Sequence, residues 1–469
     1  MLQPRRVNRS AGREGGSVGR RLVVVASTFP ASADDPVPAF VRDQVQAMHR
    51  LDPALEIHVL APHDPRSQTR GLTTHEHFVE HRFHYFWPRR AQRLAGRGIL
   101  PALQENPLLY GLVPFLFVGE FLALVRLIRR VRPDLVYAHW FTPQGVTACW
   151  ACALTRVPFV FTTHAADVAV WGKVPGLGPR VVRWHARRAR SVSAVSRRSL
   201  ERLGAFFPAR EWDRRSSDVP ILPMGVDTVQ VLPGAVAPLA SPSPSPAAGD
   251  VPPTILFLGR LAEKKGVAYL LEAFADVRGS LPGWRLVVAG DGPLLGDLQE
   301  QATSLGLSDS VEFTGYVAGT RKSELLTAAT VHVVPSIITD TGDAEGLPVS
   351  LLEGLAHGRT CVATAESGAD DILVDGVNGF LVPHRDAGAL GRALVRAATM
   401  PHTERAAMRA EAVATAAAFA WPEVAGRYLE WLFPGPAAAG GTTPTAAAEA
   451  CTPPVLPDAQ PPTAAQTAA

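Results

Sequence analysis

Short apolar runs alternate with segments of helical periodicity along most of the chain. The first apolar run is LVVVA, from Leu22 to Ala26, and residues 38–51 (PAFVRDQVQAMHRL) then place apolar side chains at helical spacing. EIHVLAP is a further strand-like run, and DLVYAHW and PFVFTTH are each followed by a helical segment. Alternating strands and helices predict a parallel sheet with helices on both faces.

The pattern stops once and then restarts, which predicts two domains. It ends at ILPMGVD, and residues 232–253 form a linker rich in Pro, Ser and Ala that cannot build a core. Strand-like runs return in TILFLGR, WRLVVAG, SVEFTG, VHVVPS, TCVAT and GFLVP. We therefore expect an α/β protein with Rossmann-like domains over residues 22–231 and 254–434, facing each other across a ligand cleft.

The two ends differ in composition from the domains. Residues 1–21 hold six Arg against one Glu and lack the apolar stretch of a signal peptide, and residues 435–469 are low in complexity. We expect a disordered basic leader, with a tether to acidic lipid as its alternative, and a disordered tail. The four cysteines form no disulfide framework and complete no zinc site. A cytoplasmic protein is predicted.

Two segments raise the question of a membrane. Residues 108–125 are mostly apolar, but Glu120 would be costly in lipid and Pro114 interrupts the run. A buried or interfacial helix is favoured over a membrane span. The helix PRVVRWHARRARS carries five arginines, which predicts a solvated face or a membrane-surface contact. Nucleic acid is not expected, since no recognised module or aromatic platform accompanies the charge.

The segment TGDAEGLPVSLLEGLAHGRT carries the clearest chemistry. Glu345 lies in a glycine-rich loop and Glu353 inside the following helix, with the join at residues 346–348. The start of a helix suits a phosphate group. A ligand with phosphates in the middle and hydroxyls at both ends, such as a nucleotide-sugar, matches this layout.

Two cations follow the first strand of the second domain in FLGRLAEKKG. Arg260 and Lys265 would neutralise a diphosphate, Arg by its planar fork and Lys as a point charge. A solvated charged turn is the alternative, and Lys264 leaves open which amine points inward.

The segment VVAGDGPLLGDL is similar to a dinucleotide-binding turn. Gly290 and Gly292 fit that turn, whereas Gly296 comes one residue too late, and Glu312 follows at the distance of a ribose-binding acid. A plain tight turn is equally compatible. This segment supports the alternative of a nicotinamide-dependent oxidoreductase.

In the first domain, His164 and Asp167 follow a strand end in FTTHAADV and are expected to face the cleft. The histidine is a candidate hydrogen-bond donor to a sugar or a partner for phosphate, or else a packing residue.

Together these segments resemble the retaining glycosyltransferases of family 4, which have the GT-B fold. The motifs GRLAEKKG, AGDGPL, SVEFTGYV, VVPS, the pair of glutamates eight positions apart and DGVNGFLVP occur in the family's order, as do TFP, FVRDQVQAM, YAHWFTPQG, THAADV and ILPMGVD in the first half. The likeness covers roughly residues 22–432. It is greatest for bacterial enzymes of exopolysaccharide and glycolipid synthesis.

The resemblance implies roles for the matched positions. Arg260 and Lys265 would hold the donor diphosphate, Glu345 the transferred sugar and Glu353 the ribose, while His164 would lie beside the sugar and the leaving phosphate. The residues predicted to be catalytic are Glu345, His164, Arg260 and Lys265. The predicted donor-binding set is Arg260, Lys265, Gly290, Gly292, Tyr316, Val317, Glu345, Gly346, Leu347, Pro348 and Glu353, and Asp167 is assigned to the acceptor side.

The same resemblance implies a metal-independent transfer without a cofactor. A hexose would move with retention from a nucleotide-sugar to a lipid-linked or saccharide acceptor, in cell-surface polysaccharide or glycolipid synthesis. The second domain would bind the nucleotide-sugar and the first the acceptor. Peripheral contact with an anionic membrane on the inner face of the cell membrane is part of this hypothesis.

Two departures from the family pattern keep other functions open. In SGADD, Ser367 replaces a glycine and Asp371 a glutamate, and ASADDPVPAF replaces the glycine-rich loop after the first strand. A non-catalytic protein that binds a nucleotide-sugar is therefore an alternative, as is a related GT-B epimerase or phosphorylase.

Overall fold

A computed structural model describes residues 19–435, except for 33–34, 36–38, 68–70, 96–97, 165–166, 229–251, 341 and 366–367. Nearly all of the predicted leader, linker and tail lies outside the described residues, as does Ser367.

The first sheet has seven strands in the order β3-β4-β2-β1-β5-β6-β7. They are β1 (Arg21–Val25), β2 (Glu56–Pro62), β3 (Leu72–Thr74), β4 (Val79–Phe83), β5 (Leu135–His139), β6 (Phe159–Thr163) and β7 (Ser191–Ala194). Only the short edge strand β3 pairs antiparallel within this sheet. Without it, the order is that of a Rossmann sheet, and the predicted parallel sheet is confirmed.

The second sheet has six strands, all parallel, in the order β10-β9-β8-β11-β12-β13. They are β8 (Thr254–Leu258), β9 (Arg285–Ala289), β10 (Val311–Gly315), β11 (Val331–Val334), β12 (Thr360–Thr364) and β13 (Phe380–Val382). The sequence predicted each of them. Central strands such as β5, β6 and β12 are buried along their whole length, as expected when helices cover both faces of a parallel sheet.

The described helices surround both sheets. They are α1 (Phe40–Leu51), α2 (Ile99–Glu105), α3 (Val113–Val131), α4 (Val146–Thr155), α5 (Ala169–Gly172), α6 (Leu177–Arg188), α7 (Arg197–Gly204), α8 (Ala209–Arg215), α9 (Val267–Val277), α10 (Leu295–Ser304), α11 (Gly319–Ala328), α12 (Val349–Ala356), α13 (Ala387–Thr399), α14 (His402–Ala417) and α15 (Trp421–Leu432). Short helical turns lie at Arg89–Ala91, Pro107–Leu112, Phe141–Gly145, Ser216–Asp218, Glu263–Lys265, Arg278–Ser280 and Ala369–Asp371.

The last helix, α15, returns to the first domain. Tyr428 and Leu432 are fully buried there against α1 and the first sheet. The Tyr428 hydroxyl donates to the carbonyl oxygen of Leu222 at 2.7 Å, and the Trp431 indole donates to Ser191 Oγ at 2.9 Å. The packing therefore differs from the expected second domain of residues 254–434, because its final helix completes the core of the first.

Helix α3 contains the apolar segment that raised the membrane question. Pro107–Val131 is long and apolar enough to cross a membrane, and 22% of its most apolar window is buried. Glu120 joins α3 to α4, since its carboxylate accepts hydrogen bonds from Thr147 Oγ1 at 2.5 Å and Gln144 Nε2 at 3.1 Å. Burial raises the pKa of Glu120 to about 7. The sequence analysis favoured a buried or interfacial helix over a membrane span. These contacts of Glu120 agree with a helix that packs on the domain.

Candidate active site

A cleft of about 990 Å³ lies between the two domains, large enough for a nucleotide-sugar. Helix α1 forms the wall on the first domain. The opposite wall consists of the carboxyl ends of β8 and β9 and the start of α12. Of the predicted donor-binding residues, those that line the cleft are Arg260, Lys265, Gly290, Tyr316, Val317, Glu345, Leu347 and Glu353.

Lys265 and Glu345 form an ion pair at the centre of the cleft. Nζ of Lys265 lies 3.2 Å from Oε2 of Glu345, and both side chains are largely buried. Gly266 allows the lysine turn to approach the end of β11: its φ is +66°, and a Cβ there would lie 1.9 Å from the carbonyl oxygen of Pro335, the residue after that strand. Lys264 points elsewhere, within 3.4 Å of Asp343 and 3.9 Å of Glu345. The structure thus identifies Lys265 as the amine that faces the cleft.

Glu345 is ionised at neutral pH. Burial alone would raise the pKa of this carboxyl group, but the neighbouring ammonium groups of Lys265 and Lys264 more than offset it, so that the pKa is lowered. A permanently ionised carboxylate can accept hydrogen bonds from sugar hydroxyls but cannot donate a proton. The geometry therefore suits the predicted positioning role rather than acid catalysis.

The start of α12 offers backbone N–H groups to the same cleft. Leu347, Val349 and Ser350 line it there, and the positive end of the helix favours an anion. Pro348 is the residue before the helix, within the predicted join. Neither Pro348 nor Gly346 is among the described residues that line the cleft.

Glu353 lies in the second turn of α12 and pairs with a lysine that the sequence analysis missed. Nζ of Lys322, on α11, donates to Oε1 of Glu353 at 2.6 Å. Burial would lower the pKa of Lys322, yet the Glu353 carboxylate raises it above its ordinary value, so the amine is charged. A donor ribose at Glu353 would also meet this ammonium group.

Tyr316 and Val317, two of the predicted donor-binding residues, follow β10 and line the cleft. Ser323 and His357 lie beside them, with His357 Nε2 3.2 Å from Ser323 Oγ. The sequence analysis named neither, because a serine and a histidine in two helices form no motif.

Arg260 lines the cleft but already has a partner from the first domain. Its Nη2 donates to Oε1 of Glu105, the last residue of α2, at 2.6 Å. The guanidinium of Arg260 thus borders the cleft, and a carboxylate that the sequence analysis did not predict accepts from one of its donors.

The glycines after β9 hold strand ends together. A Cβ on Gly290 would lie 1.8 Å from the carbonyl oxygen of Gly259, and one on Gly292 would lie 2.3 Å from that of Leu261. Gly292 is not among the described residues that line the cleft. Nothing lies within 4 Å of a Cβ on Gly296, so the third glycine lacks the tight helix packing of a dinucleotide-binding turn.

His164 is neutral and packs among aromatic rings. Its ring centroid lies 4.9 Å from that of Trp140 and 5.8 Å from that of Phe40, which lines the cleft. Burial lowers the pKa of His164 to about 3, and its Nε2 is buried without a hydrogen-bond partner among the described residues. His164 itself is not among the described lining residues, so the ligand-free cleft does not place it in direct contact with the predicted sugar position.

Asp167 was expected to face the cleft, but it is buried and is not among the described residues that line it. Its carboxylate accepts hydrogen bonds from the backbone N–H groups of Phe141, His164 and Val168 at 2.5–3.1 Å, and from Thr163 Oγ1 at 2.9 Å. Burial outweighs these bonds and raises the pKa of Asp167 to about 6. Asp167 therefore positions the turns after β5 and β6.

Asp371, at the altered family position, joins the two domains. Its Oδ2 accepts from the backbone N–H of Arg197, the first residue of α7, at 2.7 Å, and Arg197 Nε lies 3.5 Å from Oδ1. The carboxylate thus meets the positive end of a helix in the first domain. Although Asp371 replaces the glutamate of the family pattern, it makes a contact between the domains.

Helix α1 supplies lining residues that the sequence analysis did not assign to the site. The residues of α1 that line the cleft are Phe40, Arg42, Asp43, Gln46, Ala47, Arg50 and Leu51. Their spacing of three to four residues marks one face of a helix, but an amphipathic pattern does not reveal that its polar face borders a cleft.

Comparison with known families assigns both halves of the chain. Residues 37–230 match the model described as Glycosyltransferase Family 4, and residues 243–414 match that of Glycosyl transferases group 1. The chain thus joins a glycosyltransferase family 4 segment to a glycosyl transferases group 1 segment. The predicted recognition is confirmed, and the family assignment favours it over a nicotinamide-dependent oxidoreductase.

Curated relatives of this glycosyltransferase are similar over part of their length. The chain is 32% identical over 155 residues to a putative colanic acid biosynthesis glycosyltransferase of Salmonella typhimurium, covering 33% of this chain and 38% of that protein. It is 30% identical over 236 residues to a GDP-mannose-dependent phosphatidylinositol monomannoside mannosyltransferase of Mycolicibacterium smegmatis, covering 50% and 59%. The chain thus spans less than two thirds of these relatives.

Among solved structures, HepE of Anabaena in complex with UDP-glucose has a TM-score of 0.61 and 19% identity, covering 88% of this chain and 99% of that one. At this identity the likeness concerns the fold. The two facing α/β domains of the glycosyltransferase have the predicted GT-B architecture.

Proposed function

We propose that this glycosyltransferase moves a hexose, with retention, from a nucleotide-sugar to a lipid-linked or saccharide acceptor in cell-surface polysaccharide or glycolipid synthesis. The observation that supports this most directly is the Lys265–Glu345 pair at the start of α12. A lysine and an ionised carboxylate lie together in one cleft that Glu353 also lines, which supports a lysine contact to the diphosphate and a carboxylate contact to the sugar.

The charges of the cleft fit a reaction in which negative charge develops on a departing diphosphate. The acceptor hydroxyl oxygen forms the new bond to the anomeric carbon while the bond from that carbon to the phosphate oxygen breaks. Lys265 and Arg260 stabilise the charge on the diphosphate. With attack on the face that the leaving group departs from, the phosphate oxygen takes the acceptor's proton, and no protein base is needed.

The same two cations support a transfer without metal or cofactor. They supply the positive charge that a divalent cation would otherwise bring to a diphosphate. Equal initial rates in excess EDTA and in excess Mg²⁺ are expected. A rate that falls in EDTA and returns with Mg²⁺ would contradict this part of the proposal.

The donor base has to be identified by experiment, since the mycobacterial relative is named as GDP-mannose-dependent and HepE was solved with UDP-glucose. A thermal-shift screen of UDP-, GDP- and ADP-hexoses identifies it, because a ligand that binds only the folded state raises Tm. Mass spectrometry of products with the stabilising donor then tests transfer itself. A donor that binds and is never consumed would indicate a non-catalytic binding protein, and NAD(H) binding would indicate an oxidoreductase.

A surface of the first domain supports peripheral contact with an anionic membrane. One stripe of α3 exposes Phe115, Val118 and Leu122 at 42–58%, and continues toward its end with exposed Arg126 and Arg129. Helices α4 and α6 extend it with half-exposed tryptophans, Trp150 and Trp184, and Arg188 lies over the ring of Trp184. Apolar and aromatic side chains beside arginines fit an interface with acidic lipid.

Vesicle co-sedimentation tests this surface on the full chain. We expect binding to vesicles with acidic lipid, weaker binding to neutral ones, and a loss of binding in Val118→Ser. Val413→Ser, which changes a 40% exposed valine on α14 of the second domain, is the matched control. Equal binding by both variants would rule out the surface, while leaving transfer to a soluble saccharide untouched.

A further inference from the structure

Glu105 is paired with the guanidinium group of Arg260, which is expected to bind the donor diphosphate. Its Oε1 accepts from Nη2 of Arg260 at 2.6 Å, and the two residues belong to different domains. Glu105 ends α2, whose Leu103 is anchored in the core of the first domain. The next residue, Asn106, caps the following turn through its side chain. The position of the Glu105 carboxylate near Arg260 is therefore fixed by the packed helix before it and the capped turn after it, rather than by a long loop.

Both cations of the expected diphosphate site have carboxylate partners in this ligand-free structure, but the two carboxylates differ. Glu345 comes from the same domain as Lys265 and lines the cleft. Glu105 reaches Arg260 from the first domain and is about half exposed. Because water screens such a pair, the contact is weak.

We propose that Glu105 is a displaceable stand-in for the donor's diphosphate. Carboxylate and phosphate oxygens compete for the same planar fork of an arginine, and two anions close together repel each other. A diphosphate that engages Arg260 must therefore release Glu105. Donor binding then breaks a contact between the domains, and Glu105 weakens donor affinity while it joins the two domains in the empty protein. This inference rests on the proposed function in one respect, the assignment of Arg260 to the diphosphate site.

Inorganic pyrophosphate probes this competition without knowledge of the base or sugar. Isothermal titration at one low ionic strength compares the wild type with Glu105→Gln, Arg260→Ala and the double variant. We expect Glu105→Gln to lower the Kd about two- to fivefold, the range set by an exposed ion pair. In the Arg260→Ala background, where no guanidinium is left to compete for, the same substitution should lower the Kd by clearly less. Glu211→Gln removes an equal charge that pairs with Arg187 on the first domain, and should leave the Kd unchanged.

The outcomes separate this inference from the proposed function. An unchanged or higher Kd for Glu105→Gln, with normal binding by the wild type, would overturn the stand-in role alone. An equal decrease in Kd for Glu211→Gln would show that the effect depends on net charge alone. It would also overturn the stand-in role. Absence of pyrophosphate binding in the wild type would overturn the diphosphate site, and with it the proposed function.

Discussion

Glu345 and Lys265 face each other across 3.2 Å inside the cleft, and each is the other's charge partner. Since the pKa of Glu345 is lowered by both neighbouring lysines, its carboxylate is ionised throughout the neutral range. Glu345→Gln keeps the shape and removes the charge. We expect kcat to fall by about 10²–10³-fold, the scale for losing one stabilising group at a reacting centre. Initial rates with the identified donor check this, and an unchanged far-UV spectrum confirms the fold.

Lys264 and Lys265 form a matched pair for mutation. Lys265→Ala should reduce transfer about 10²-fold or more, because it removes the cation that faces the cleft. Lys264→Ala should cost far less, since this amine is directed at Asp343. Near-normal turnover by purified Lys265→Ala enzyme would contradict the assignment, as would equal losses in the two variants.

His164 makes the folded state sensitive to acid. Its pKa falls from an ordinary 6.5 to about 3, so its contribution to stability is present above pH 6.5 and is lost as the pH falls toward 3. His164→Gln should therefore lose less stability than the wild type between pH 7 and pH 4. Urea unfolding at the two pH values measures the difference. His139, buried beside it with a lowered pKa, contributes acid sensitivity in both proteins.

Glu120 has the opposite dependence on pH. Its pKa is raised from an ordinary 4.5 to about 7 by burial, so the folded state holds the proton more tightly than the unfolded state. Stability falls as the pH rises from 4.5 to 7. The change in Tm caused by Glu120→Gln should therefore be more positive at pH 8 than at pH 4. Glu312→Gln, an exposed carboxylate on β10, should shift Tm equally little at both pH values.

Gly290 and Gly296 distinguish close packing from a dinucleotide-binding turn. Gly290→Ala should strongly destabilise the second domain, because its Cβ would clash with the carbonyl oxygen of Gly259. Gly296→Ala, inside α10 with open space around it, should be neutral or stabilise by about 0.5–1 kcal/mol. Thermal unfolding of both variants tests this. Destabilisation by Gly296→Ala would restore the packing role that a dinucleotide-binding turn requires.

Much of the fold was predictable because buried parallel strands appear in the sequence as short apolar runs. The strands that escaped notice, β3, β4 and β7, are short or mixed in polarity: LTT, VEHRF and SVSA. Their pairing depends on neighbours distant in sequence rather than on a local pattern. The return of α15 to the first domain was missed for the same reason, since an amphipathic helix does not specify which core it covers.

The residues of the candidate site were likewise predicted only in part. Residues in loops of the second domain, such as Lys265 and Glu345, were predicted because they belong to contiguous motifs. Partners from distant segments, such as Glu105 for Arg260 and Lys322 for Glu353, have no local signal. Asp167 was expected to face the cleft but binds backbone N–H groups instead, because a strand-end carboxylate has the same sequence whether it binds a ligand or the protein's own backbone.

The crossing of α15 has a consequence for synthesis on the ribosome. The first domain lacks Tyr428 and Leu432 in its core until about 200 further residues have been made, because these side chains follow the whole second domain. Domains usually fold in the order in which they emerge, but here the first to emerge is the last to be completed. A chain stopped after α14 would carry a finished second domain and an open first one, a target for proteases and chaperones rather than a half-enzyme.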